Sequence, residues 1–182
     1  MVRFPEDLLK GRPIVIEDYD PDWPLSYEKE RQEISAKLGD AALAIEHIGS
    51  TSVPGLAARP TIDIIVLIAS LELARECIPL IESLHYNYSP ELEQVFSDRI
   101  FYWKGTAEAH TVHLAMIERA RPAWDSLIAF RAYLRSHPSE AVRYETLKRA
   151  LADKHITNVN QYSSGKEDYV ASIQAKVGND RG

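Results

Sequence analysis

The stretch IEHIGSTSVPGLAARPTIDIIV, residues 45–66, decides the fold. Its first part, with Leu43 and Ala44 before it, is a short apolar run that breaks at Gly49 and reads as a strand over 43–48. STSVPGLAARP follows, and its two prolines and Gly55 exclude regular structure, so the chain there is a shaped loop. Thr61 to Ile68 is then a β-branched, almost wholly apolar run, the pattern of a strand buried on both faces. Asp63 interrupts it. A carboxylate inside such a strand is costly unless it is hydrogen-bonded or meets a cation. A glycine and a hydroxyl residue, Gly49 and Ser50, stand at the end of the preceding strand, where the missing side chain lets a phosphate approach the backbone. Strand, glycine–serine turn and returning strand with one acid together suggest a phosphate site.

Working outward, Pro24 opens a helix that places Tyr27, Ile34 and Leu38 on one face and ends near Gly39. Residues 70–84 repeat apolar positions, Cys77 among them, at helical spacing. Ile100 to Lys104 and Thr111 to Ile117 read as two strands around the turn GTAEA. Beyond Pro122 the pattern is helical: Leu127, Phe130 and Leu134, then a helix from Pro138 with Val142, Leu147 and Leu151, then a last helix around Tyr169 to Val177. This order predicts an α+β fold, a mixed sheet flanked by helices with a C-terminal helical bundle. A chain of 182 residues suits one domain over 1–182, with a core at about 14–120 and C-terminal helices at about 122–177.

One cysteine cannot form an internal disulfide, and no apolar run approaches the length of a membrane span. The opening MVRFPEDLLKGRP lacks the apolar core of a signal peptide, so a cytoplasmic location and no membrane partner are expected. The net charge of -6 argues against nucleic acid as a partner. Residues 119–154 nevertheless hold eight basic side chains against four acids.

The EHIGST–VPGLA–RP–IDI block resembles the GrpB family, whose members carry a near-identical block. The likeness runs from DYDPDW at 18–23 through Arg99 and FRAYLRSHP at 130–138 to Tyr144, Lys148 and Tyr162. It implies a nucleotidyltransferase-like fold. In that superfamily two acids usually stand two residues apart on the second strand, so that both face one side. Here Asp63 is one of them, and Thr61 occupies the partner position. A third acid usually follows on a later strand. The counterpart here carries His113 and no acid, and it reads His113, Leu114, Ala115 where the family tends to His-Leu-His.

Three functions remain open. The first is transfer of a nucleoside monophosphate or phosphoryl group from a nucleoside triphosphate to a small acceptor. Asp63 and His113 would be its catalytic residues, Gly49, Ser50, Thr51, Arg59 and Arg99 would hold phosphates, and Mg2+ or Mn2+ would bind Asp63. The second is a catalytically weak or inactive module that binds a nucleotide or phosphorylated small molecule. The third is a single-metal hydrolase using His47, Asp63 and His113. Arg131 with Arg135, and Tyr144 with Lys148, each lie one helical turn apart and either close over the site or serve the scaffold.

Overall fold

The computed structural model describes residues 13–106 and 109–179. Five strands form one mixed sheet: β1 (Ala44–Ile48), β2 (Ile62–Ile68), β3 (Asn87–Tyr88), β4 (Arg99–Gly105) and β5 (His110–Glu118), in the spatial order β1-β2-β5-β4-β3. β2 and β5 run parallel at the centre, and the remaining neighbours are antiparallel. Both central strands read as apolar because both their faces are covered. On one face Ile64, Val66, Leu114, Met116, Ile100 and Tyr102 pack against Trp23, Ile34, Leu38 and Ile81. On the other, Ile65, Ala115, Ile117 and Ile48 meet Trp124, Leu127 and Ile128.

Helix α1 spans Trp23–Leu38, with Pro24 in its first turn and Gly39 ending it at φ 51°. The apolar repeat over 70–84 becomes two short helices, α2 (Leu71–Glu76) and α3 (Ile78–Glu82). Pro79 explains the break: it has no N–H to continue the ladder and is comfortable only in a first turn. Cys77, between them, is buried in the core. Of the turn GTAEA, Ala107 and Glu108 lie outside the described residues.

The C-terminal helices are α4 (Ala123–Ser136), α5 (Pro138–Lys154), α6 (Val159–Ser164) and α7 (Glu167–Asn179). In α5 the sequence pattern misleads. Val142 is 64% exposed, and the buried stripe is Glu140, Tyr144, Lys148 and Ala152, repeating every four residues. A helix that turns a lysine inward in place of an available valine gives up stability, which directs attention to what that lysine faces. Among the described residues, no helix is long and apolar enough to cross a membrane.

Candidate phosphate cleft

Register explains how the site forms. Asp63 pairs with Ile48 of β1 and His113 of β5, so these side chains share one face at the N-terminal ends of the parallel pair. His113 Nδ1 lies 3.2 Å from Asp63 Oδ1. Gly49 follows at φ 71°, where a glycine is needed twice over. A Cβ there would overlap Asp63 Oδ2 and come within 3.0 Å of its Cγ, so the carboxylate rests against the bare glycine backbone. Burial opposes ionisation of Asp63. The hydrogen bond and charge of His113, helped by Arg59 and His47, outweigh it and hold the carboxyl below the usual aspartate range.

The loop after Gly49 is fixed from three sides. His47 Nε2 lies 2.9 Å from Thr51 Oγ1, and the Thr51 hydroxyl donates to the Thr61 carbonyl. Arg131 donates to Glu46 and to the His47 carbonyl at 2.6 Å, while Arg135 donates twice to the Ser52 carbonyl. Both arginines of α4 are therefore spent on the scaffold.

Gly49, Ser50, Thr51, Arg59, Thr61 and Asp63 line a cleft of about 110 Å3, closed by Tyr144 and Lys148 from α5 and by Tyr162 and Lys166 from the α6–α7 corner. Lys148 is 2% exposed, and its Nζ donates to the Ala57 carbonyl. Lys166 Nζ stands 4.2 Å from the centre of the Tyr162 ring, and the Arg59 guanidinium 5.7 Å from the same ring. Among the described residues Arg59, Lys148 and Lys166 make no ion pair. Burial pulls both amines down to about 7. For Lys148, Glu145 opposes this while Arg149 and Arg59 add to it, and for Lys166 Arg59 adds and Asp63 opposes. Arg59 and two amines that burial makes reluctant to ionise thus surround one carboxylate already bound by His113. That is a field awaiting an anion.

Some sequence expectations need correction. Arg99 pairs with Ile117, four residues along β5 from His113, which is roughly 13 Å at strand spacing. Its guanidinium is taken by Asp98 at 2.7 and 2.8 Å and lies over Phe96, so it does not reach the cleft. His47 pairs with Ile64 and points to the opposite face from Asp63, stacked on Tyr27 at 4.7 Å. The set His47, Asp63, His113 therefore does not converge. Among the described residues no three His, Cys, Asp or Glu side chains are grouped to hold a metal. Thr51 borders the cleft, but its hydroxyl is committed between His47 and Thr61. Sequence reasoning missed Lys166, for which the pattern offers no signal, and left Lys148 and Tyr162 without a fixed role.

His47 carries a stability consequence. It is 6% exposed, and burial, partly offset by Asp63, lowers it from 6.5 to about 4. The unfolded chain then binds the extra proton first, so the stability from this residue is complete above pH 6.5 and is lost as pH falls through 4. The shift corresponds to about 3 kcal/mol. Chemical denaturation between pH 7 and 4 should show this slope, and His47→Gln should flatten it. An unchanged slope in the variant would remove His47 as its cause.

Residues 13–176 match the family described as GrpB protein. UPF0157 protein YqkA of Bacillus subtilis is 34% identical over 92% of this chain, which spans 48% of that protein's length. UPF0157 protein BH1888 of Halalkalibacterium halodurans is 31% identical over 90% of the chain and 82% of its own length. The crystal structure of conserved protein GrpB from Enterococcus faecalis superposes with a TM-score of 0.83 at 32% identity, covering 92% of this chain and 99% of that one. A crystal structure of the Cid1 poly(U) polymerase with Mg 3′-dATP bound superposes at 0.51 with 13% identity, over 82% of this chain and 49% of its own, a likeness of fold.

Proposed function

The chain belongs to the GrpB family, and on that premise we propose that its cleft holds the phosphate groups of a nucleotide or related phosphorylated small molecule. The observation that carries this reading is the placing of Arg59, Lys148 and Lys166 around Gly49, Ser50 and Asp63 without ion-pair partners among the described residues. The energetic sense is direct. An arriving phosphate relieves the mutual repulsion of the cations and restores charge to amines that burial has made reluctant to carry it. The Cid1 polymerase, of the same fold, holds 3′-dATP with magnesium.

The metal that such a fold implies suits this donor set poorly. Among the described residues Asp63 is the single carboxylate lining the cleft, and its Oδ1 is engaged by His113. The place two residues earlier holds Thr61, whose hydroxyl donates to the His110 carbonyl. One engaged carboxylate beside Arg59, Lys148 and Lys166 does not make a two-metal centre. Transfer to an acceptor remains the second reading, favoured by the Asp63–His113–His110 chain, in which His113 Nδ1 meets the carboxylate and its Nε2 lies 3.0 Å from His110 Nδ1.

Calorimetric titration with pyrophosphate and with a panel of nucleoside triphosphates, in EDTA and in Mg2+, tests the proposal. Binding in EDTA, weakened by Ser50→Ala by up to about tenfold, is expected. Binding that requires Mg2+ would overturn the metal-independent reading. No binding in either condition would overturn the phosphate reading altogether.

A further inference from the structure

Beside the cleft lies a second cavity of about 220 Å3, and Arg59 and Thr61 form the wall between the two. Its remaining lining is mostly apolar, chiefly Pro13, Ile14, Val15, Pro60 and Val159, together with His110, His113 and Glu17. The walls are fixed. Glu17 and Ala58 exchange two backbone hydrogen bonds at 2.9 Å, and the Ile14 amide donates to the Ile156 carbonyl at 2.8 Å. His113 lines this cavity and links it to the cleft, since its Nδ1 lies 3.2 Å from Asp63 Oδ1.

Small-molecule sites usually measure about 300 Å3 or more. Neither space reaches that alone, and the cleft has room for little beyond a phosphate or diphosphate. Side by side they attain it. Their chemistries differ in a way that sorts ligand parts. The cleft gathers Arg59, Lys148 and Lys166, whereas its neighbour shares Arg59 alone of these and sets the Glu17 carboxylate and apolar walls beside it, so an anion is favoured in the cleft.

Building on the phosphate reading, we propose that this second cavity is the subsite for an uncharged, largely apolar group lying next to the bound phosphate. The group leaves the two His113 ring nitrogens to Asp63 and His110, which hold them at 3.2 and 3.0 Å. It belongs either to the phosphate ester itself or to a separate acceptor, and both present the same chemistry to these walls. The ligand class is thereby narrowed from phosphates at large to a phosphate beside an uncharged apolar group of up to about 220 Å3.

Val15→Trp provides the test, because Val15 lines the cavity yet is 50% exposed, so bulk added there obstructs the space while the core is left alone. The probes are inorganic phosphate, 2-phenylethyl phosphate, and 2-phenylethanol in the presence of saturating phosphate, titrated by calorimetry and by ligand-observed NMR. Wild-type protein is expected to bind 2-phenylethyl phosphate about tenfold or more tighter than phosphate if the group is part of the ester, from burial of its apolar surface. If the group is a separate acceptor, the ester gains nothing and 2-phenylethanol binds alongside phosphate. In either case Val15→Trp removes the effect and keeps phosphate affinity within twofold. Equal behaviour of variant and wild type toward every probe, or no contribution from the phenylethyl group in either form, would overturn the subsite while phosphate binding stands. A wild-type protein that binds no phosphate would overturn both readings.

Discussion

Replacing Lys148 with methionine is expected to lower pyrophosphate affinity about ten- to a hundredfold while leaving thermal stability unchanged or higher. The length and apolar stem of the side chain are retained, and only the amine is lost. That amine is almost wholly buried and held near pH 7 by burial, so in the empty protein its charge is a burden. The variant costs the Ala57 carbonyl a donor, which offsets part of the gain. A charge-assisted hydrogen bond to phosphate is worth about 1.5–3 kcal/mol, which sets the expected loss of affinity. A pH profile separates the two roles. Because the folded value lies below 10.5, the unfolded chain holds more protons between pH 7 and 10.5, and wild-type stability rises across that window. Relative to Lys148→Met the rise should be about 2 kcal/mol from pH 7 to 9. A variant that melts far below wild type and still binds pyrophosphate would make Lys148 a structural post.

Gly49→Ala is expected to destabilise the fold by about 2 kcal/mol or more and to abolish tight phosphate binding. Two costs combine, a positive φ that alanine adopts poorly and the collision of its Cβ with the Asp63 carboxylate. Relief of the collision turns Asp63 away from Gly49, which breaks its contact with His113 and opens the cleft floor. Asp63→Ala removes the carboxylate and leaves its Cβ, 3.1 Å from the added methyl, so it should relieve most of the collision but not the φ strain. A double-mutant cycle in denaturant should therefore show a favourable coupling of about 1–2 kcal/mol between the two positions. Simple additivity would mean that the glycine serves only the turn.

Much of the fold is legible in the sequence because its signals are local. Pro24 and Gly39 bracket α1, Gly49 ends β1, and the β-branched run marks β2 as central. The two-residue β3 carries too little pattern to be seen, and the break at Cys77 and Pro79 is hidden under a continuous apolar repeat. The site is legible in part. Gly49, Ser50, Arg59, Asp63 and His113 come together because strand order and the loop between β1 and β2 force them to. Residue type alone makes Arg99 a candidate phosphate contact and His47 a candidate metal ligand. Only the pairing of Arg99 with Ile117 and of His47 with Ile64 shows that one is displaced along the sheet and the other faces the opposite layer. Lys148 enters from α5 and Lys166 from the turn between α6 and α7, elements whose docking depends on side-chain packing far from β2 in sequence. Apolar periodicity in α5 favoured Val142 over the stripe that carries Lys148.

Calorimetry of pyrophosphate binding at pH 8, in two buffers of different ionisation enthalpy, asks whether the three cations form an anion site. With Lys148 and Lys166 near 7 in the empty cleft, most of both amines is neutral at pH 8, and an anion between them and Arg59 restores their charge. Net uptake of protons on binding is expected, falling when either lysine is replaced by methionine. Binding without proton exchange, or with proton release, would contradict the assignment of these lysines to the phosphate.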